Sequence, residues 1–259
     1  MDLGIAGRRA IICASSKGLG LACATSLARE GAVVWINGRD DGRLQSAAQS
    51  IFEATGATVR RVVGDMNTAD GRAAVLAACP DPDILINNNH GPRNGHQEEL
   101  SDEDWLSAVN NNMLSPIAMI RAVAGGMRAR GFGRIVNITS AQVKSPTVDM
   151  GLSVAARAGL MALAKAAQFD TVAENVTINN LLPGPFRTDR LAGLAQRRAA
   201  SENIDIEEAY RRIGQRGPAG RIGDPAEFGD ACAFLCSAQA GYISGQSLAI
   251  DGGAYRGLF

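Results

Sequence analysis

A chain of 259 residues is long enough for one large α/β domain or two small ones. Its 46% apolar and 20% charged residues are those of a core-forming globular protein. The 26 basic residues balance the 26 acidic ones, so no polyanion-binding field is implied and nucleic acid is not an expected partner. The N-terminus lacks the basic-plus-apolar pattern of a signal peptide, and no apolar run reads as membrane-spanning. A cytoplasmic protein without a membrane partner is expected. Cys13, Cys23, Cys79, Cys232 and Cys236 form no paired framework, and His90 and His96 are the only histidines, so neither disulfides nor a metal site is expected.

Runs rich in Val, Ile and Leu alternate with helical patterns along the whole chain. Ala10 to Ala14 reads as a strand, Leu19 to Arg29 as a helix, Ala32 to Ile36 as a strand and Asp41 to Ala54 as a helix. Ala57 to Val63, a short helix from about Thr68, and the continuous apolar strand Asp83 to Asn88 follow. Ser101 with Asp104 has the form of a capping box that opens a long helix through about Val123, and Gly125, Gly126 and Gly131 loosen its end. Arg134 to Thr139 is the next strand, Ser153 to Asp170 an alanine-rich helix, and Val176 to Leu182 a strand. Asp224-Pro225 with Glu227 starts another helix, and Ser247 to Ile250 closes the sheet. This alternation predicts one domain over 1–259, a single doubly wound parallel sheet with helices on both faces. The least regular stretch, Pro183 to Arg221, carries many charges of both signs. A solvated charged helix is expected there, with a substrate lid around 187–217.

Chemistry is expected at the turn between the first strand and helix. In Ala14-Ser15-Ser16-Lys17-Gly18-Leu19-Gly20 small residues let a phosphate approach the backbone, and the helix N-terminus offers it free N–H groups and partial positive charge.

The order of motifs resembles the short-chain dehydrogenase/reductase family, most closely its 3-oxoacyl-[acyl-carrier-protein] reductase-like members, over essentially the whole chain. Ala14 to Gly20 is similar to the family's Gly-x-x-x-Gly-x-Gly turn, with Ala14 in place of the first glycine. Asp65-Met66 resembles the step that contacts adenine, and Asn87-Asn88-Asn89-His90-Gly91 the Asn-Asn-Ala-Gly segment. Trp105 and Asn112 match the helix that carries an active-site asparagine, and Gly133 to Ser140 the strand that ends in the catalytic serine. Pro183-Gly184-Pro185-Phe186-Arg187-Thr188 resembles the turn that holds the nicotinamide carboxamide, and Gly245-Gln246 with Asp251-Gly252-Gly253 the C-terminal signature. The resemblance implies a Rossmann fold, a dinucleotide site built from Ala14, Ser16, Lys17, Gly18, Leu19, Gly20, Arg39, Asp65, Met66, Asn88, Arg157, Pro183, Gly184, Phe186 and Thr188, and a homotetramer.

Two departures from the pattern matter. The second strand ends Asn37-Gly38-Arg39, with no acid until Asp40, and Lys17 adds a cation beside the turn, which favours NADP(H) over NAD. The family's catalytic tyrosine, 13 residues after the serine, falls on Ser153, and its lysine on Arg157. The expected catalytic set is therefore Ser140, Asn112, Ser153, Arg157 and Lys144, with Ser153, Lys144 or a water carrying the proton and His90 as a further candidate; His96 reads as a surface residue. The resulting expectation is a divergent reductase or dehydrogenase acting on a small-molecule or acyl-linked carbonyl, with the 3-oxoacyl type as one option. The alternatives are a nucleotide-binding protein without redox turnover, or a dehydratase or isomerase on the same fold.

Overall fold

The structure is a computed structural model describing residues 1–258. Its strands are β1 (Arg9–Ile12), β2 (Val33–Gly38), β3 (Arg60–Val63), β4 (Ile84–Asn87), β5 (Gly133–Ile138), β6 (Val176–Pro183) and β7 (Ser247–Ile250). They form one parallel sheet in the order β3-β2-β1-β4-β5-β6-β7. The order reverses between β1 and β4, which opens a crevice at the carboxyl ends of these two strands, where a ligand fits in such a sheet. The central strands β1 and β4 are apolar without alternation because both faces are covered: Ala10 and Ile12 pack on one side, Ile11 on the other.

One face carries α1 (Gly18–Arg29), α2 (Asp41–Thr55) and α9 (Pro225–Cys236), joined through Leu27, Leu44, Ile51 and Phe228. The other carries α3 (Ala69–Ala78), α5 (Ser115–Ala129) and α6 (Gly151–Ala167), through Val75, Met119, Met127 and Leu160. Thr68 caps α3, and the predicted capping boxes form at α4 (Asp102–Val109) and α9. Just below the carboxyl edge, Asn87 Nδ2 donates to Asn137 Oδ1 (2.9 Å) and Asn137 Nδ2 to Asn180 Oδ1 (3.0 Å), so three buried amides satisfy one another across three strands.

Three expectations change. The long helix after Ser101 is α4, a π turn over Asn110–Leu114, and α5, which runs through Gly125 and Gly126 and stops at Ala129, with Gly131 beyond it at φ +66°. The stretch after Pro183 is not irregular: α7 (Asp189–Glu202) and α8 (Ile206–Gly214) form a helical pair with its own small core of Leu191, Ala195, Ala209, Tyr210 and Ile213. The helical run Val148–Asp170, with mean hydropathy 1.2 over its most apolar window, is long and apolar enough to span a bilayer by composition. In the structure one face of it, Leu152, Ala156, Leu160 and Ala164, is buried in the protein.

Candidate active site

The turn after β1 is held from three sides. Ser15 Oγ donates to the Ile12 carbonyl (2.7 Å) and accepts from Asn37 N (3.0 Å). Asn37 Oδ1 accepts from Ala14 N (3.2 Å), and Asn88 Nδ2 donates to the Ala14 carbonyl (2.9 Å). These bonds hold Ala14 at φ 44°, a left-handed conformation that glycine adopts more easily, and Gly18 lies at φ +59°. At Gly20 a Cβ would fall 2.7 Å from both the Ala14 carbonyl and Asn88 Nδ2, so only glycine lets the turn close this tightly onto α1.

The first turn of α1 has no side-chain cap, like those of α5, α6 and α7 and unlike those of α2, α3, α4, α8 and α9. Its N–H groups are left for a ligand, the donor set a pyrophosphate requires. Ser16 lies beside Gly38 at the end of β2 (3.3 Å from where a Cβ would stand), and Arg39 next to it is exposed and forms no ion pair among the described residues. A 2′-phosphate therefore meets no carboxylate of that strand. These residues fit NADP(H).

The opposite wall comes from the segment after β6. Gly184 packs on Asp251, where a Cβ would lie 2.8 Å from its Cα; Phe186 meets Phe228 edge to face at 5.4 Å; Thr188 sits over Gly18, its Cγ2 3.8 Å from a Cβ built there. Asp65 and Met66 are fixed through their backbones: the Asp65 carbonyl accepts from Thr68 N (3.0 Å), and the Met66 carbonyl accepts from Ser115 Oγ (2.5 Å) and Arg72 Nη1 (2.9 Å). Leu19 packs against the core cluster beneath the turn.

Deeper in the crevice, Ser140 Oγ accepts from Gln142 N (3.2 Å), which orients it at the end of β5. Asn112 is 4% exposed and sits in the π turn, where one extra residue per turn displaces its side chain from the ordinary helical position. Arg157 and Ser153, one helical turn apart on α6, are both buried, and Arg157 Nη1 donates to Ser153 Oγ at 2.5 Å. Burial, with the charge of Arg190 second, pulls the Arg157 guanidinium down to about 10, so it is still a cation at neutral pH. Arg157, Asn88, Asn89 and Asn112 line a small interior cavity, and an adjoining one of about 250 Å³ is lined by His90, Gly91, Arg93, Asn111, Asn112 and Leu152.

Other candidates lie elsewhere. Lys17 Nζ reaches Asp189 Oδ2 at the start of α7 (2.9 Å) and is tied up there, so it is not a free cation beside the 2′-phosphate position. The Lys144 ammonium lies over the Tyr255 ring at 5.0 Å from its centroid, engaged with the C-terminal tail. His96 is exposed, as a surface residue should be. His90 shares the crevice edge, where burial first and the Arg39 charge second push its pKa down and favour the neutral ring. Asn89 donates through Nδ2 to Asn67 Oδ1 (2.6 Å) and the Asn111 carbonyl (2.9 Å), so its Oδ1 accepts from His90. Sequence reasoning missed Arg190, whose guanidinium packs onto the backbone of Gly91 so closely that a Cβ at 91 would collide with it.

A family model described as enoyl-(acyl carrier protein) reductase matches residues 13–255. The chain is 36% identical over 253 residues to gluconate 5-dehydrogenase of Gluconobacter oxydans (strain 621H), covering 96% of this chain and 95% of that one. It is 29% identical over 257 residues to the 3-oxoacyl-[acyl-carrier-protein] reductase FabG of Vibrio cholerae, covering 98% and 99%. Among solved structures, L-sorbose reductase from Gluconobacter frateurii, complexed with NADPH and L-sorbose, superposes with a TM-score of 0.94 at 30% identity, covering 100% of each chain. The chain belongs to the short-chain dehydrogenase/reductase family.

Proposed function

We propose that this chain is an NADP(H)-dependent oxidoreductase acting on a ketone–secondary alcohol pair, with 3-oxoacyl compounds as one candidate class. The observation that carries this reading is the uncapped N-terminus of α1 behind a turn too tight for a Cβ at Gly20. The absence of an acid at the end of β2, which closes Asn37-Gly38-Arg39, and relatives solved with NADPH or NADP support the choice of cofactor. The dinucleotide would lie along Ala14, Ser16, Gly18, Leu19, Gly20, Arg39, Asp65, Met66 and Asn88, with Pro183, Gly184, Phe186 and Thr188 closing the nicotinamide end. Lys17 contributes only after leaving Asp189.

The motif order supports placing Ser153 and Arg157 where the family carries tyrosine and lysine. When bound, the cofactor supplies the hydride. On this reading Ser140 donates to the substrate carbonyl oxygen and polarises it, and Arg157 holds the ribose hydroxyls with a fixed positive charge. Because Arg157 already donates to the Ser153 oxygen, the serine's own O–H is left to donate toward the substrate oxygen. A positioned proton donor is worth about 10²–10⁴-fold, and a serine is a poorer acid than a phenol, so slow turnover is expected. A water held by Asn112 and Ser140 is the alternative donor on this reading, and Lys144 could serve only by giving up Tyr255.

Titration with NADPH and NADH, followed by fluorescence alongside a ketone panel, tests this. Tighter NADPH binding with turnover is expected, and Ser140→Ala should lower turnover about 10²-fold or more; wild-type turnover in that variant overturns the assignment. A second reading, cofactor binding without redox turnover, is favoured by the serine at the proton-donor position, and turnover on any ketone rejects it. We further infer a substrate lid from α7 and α8, and a homotetramer, because Val148, Phe169 and Leu106 are apolar and exposed around α6 and α4. Five unpaired, buried cysteines suit a reducing compartment such as the cytoplasm.

A further inference from the structure

Two arginines enter the crevice with no acid to meet them. Arg157 is 7% exposed, lines the interior cavity beside Asn112, and has one hydrogen-bond partner, the neutral Ser153. Arg190, the second residue of α7, is exposed and packs across the crevice on Gly91, which itself lines the 250 Å³ cavity. The Arg157 guanidinium is held down partly by the charge of Arg190, so the two cations are close enough to repel. Neither forms an ion pair among the described residues.

The acids around them are largely committed elsewhere. Asp104 is held by Arg93 (2.8 Å), Asp189 by Lys17 (2.9 Å) and Glu207 by Arg187 (3.0 Å). Asp65 faces the site from the end of β3, with Arg39 and His90 at the crevice edge, and these do not offset two guanidiniums. Of the two, Arg157 is buried and Arg190 is exposed; the uncompensated buried charge of Arg157 is costly, and an anion held at Arg190 beside it would offset that cost.

The start of α7 indicates which anion. Asp189 reaches the phosphate-turn wall and takes Lys17, while Arg190, one residue later, turns the other way onto Gly91, a residue that lines the cavity together with Asn111, Asn112 and Leu152. Arg190 is thus aimed at the side where a substrate sits rather than at the turn that receives the pyrophosphate.

We propose that Arg190, backed by the buried charge of Arg157, binds a carboxylate carried by the substrate, so that the physiological pair is an oxo acid and its hydroxy acid rather than a neutral ketone and alcohol. Guanidinium and carboxylate match in planar, two-bond geometry, and an arginine fork orients as well as attracts. This rests on the oxidoreductase reading, and its test is built to fail separately.

Levulinate and methyl levulinate, and acetoacetate and methyl acetoacetate, form matched pairs that differ in the charge. In the NADP⁺-loaded protein, saturation-transfer NMR should detect the acids and not the esters, and Arg190→Leu should abolish the signal. With NADPH, kcat/KM should favour each acid over its ester by tenfold or more. Arg190→Leu should erase that preference mainly through KM, and Arg190→Lys should restore part of it. The Kd for NADPH, from fluorescence, should stay within threefold of wild type in both variants. Equal NMR signals for acid and ester, or a tenfold weaker NADPH affinity with the acid preference intact, overturns the proposal; the latter would assign Arg190 to the cofactor's phosphates. Acid binding lost in Arg190→Leu, with no turnover of any pair, would uphold the anion site and count against the oxidoreductase reading.

Discussion

The sheet body and the α7–α8 pair are held together by different physics. In the body, Ile11, Ile12, Ile36, Leu44, Ile84 and Phe228 are fully buried, and the strands between them are fixed by parallel ladders. The α7–α8 pair buries five residues, three of them only to within 8–9% of full burial, and ties its outer face with charges: Glu202 with Arg198 and Arg212, Glu208 with Arg211 and Arg212. Burial specifies one arrangement, because any shift opens a cavity. Exposed ion pairs tolerate rearrangement and weaken with salt. The rigid half therefore carries Ser140, Asn112, Ser153 and Arg157, and the adjustable half carries Arg190 and Thr188.

Truncation separates the two most sharply. Phe228→Ala removes a ring that packs edge to face on Phe186 and fills the core between α9 and the sheet, and should cost about 3–5 kcal/mol of global stability. Ile213→Ala in α8 should leave the global transition nearly in place while proteolysis within 189–216 accelerates. Denaturant unfolding and limited trypsin cleavage measure both. An equal loss of global stability in Ile213→Ala would mean that the helical pair is one cooperative unit with the sheet.

Arg157 carries a stability cost inside the rigid half. Its guanidinium is depressed to about 10 in the folded protein, so the folded state disfavours the charged form at every pH below that, and the penalty fades only as pH rises from about 10 toward the unfolded value. Arg157→Met should therefore raise stability at pH 7 by on the order of 2–3 kcal/mol while removing turnover. A less stable Arg157→Met would show that Ser153 and the cavity compensate the charge. Wild type should narrow the gap on binding an anion.

Acid acts on the other half. The Arg211 and Arg212 bonds hold the Glu208 carboxyl down to about 2. A carboxylate lowered in the fold contributes stability above its unfolded pKa and loses it as pH falls through the folded one. Pepsin cleavage within 189–216 should accelerate between pH 4.5 and pH 2 before the sheet opens, and Glu208→Gln should remove most of that pH dependence.

How much of this was legible in the sequence follows the same division. Ser140, Asn112 and Ser153 were singled out only by the family resemblance, whereas the strands and the caps at Thr68, Ser101 and Asp224 were readable because burial pattern and helix-start chemistry are local. The π turn was not, because it is set by packing: Met113 faces Gly159, where a Cβ would lie 2.7 Å from the sulfur. The α7–α8 helices were obscured by charge, although Asp205, whose Oδ1 accepts from Glu208 N at 2.8 Å, was an available start signal. Lys17 read as a cation for the cofactor and Arg190 as a solvated charge. Their partners, Asp189 and Gly91, are 172 and 99 residues away, and no local rule pairs them.

The smallest expected effect tests whether the phosphate turn belongs wholly to the rigid half. Ala14 is held at φ 44° by Asn37 and Asn88, and an L-residue there costs about 1–2 kcal/mol relative to glycine. Glycine gives back about 0.4–1 kcal/mol through its looser unfolded chain. Ala14→Gly should therefore gain roughly 0.5 kcal/mol, a rise of about 1–2 °C in Tm. The backbone amides that face the ligand should not move, since Asn37 and Asn88 still grip both sides of residue 14. NADPH affinity should be unchanged. A Tm gain with weaker NADPH binding would mean that the alanine methyl, not the asparagine grip, sets the shape of the turn, and the strain would then belong to binding rather than to folding.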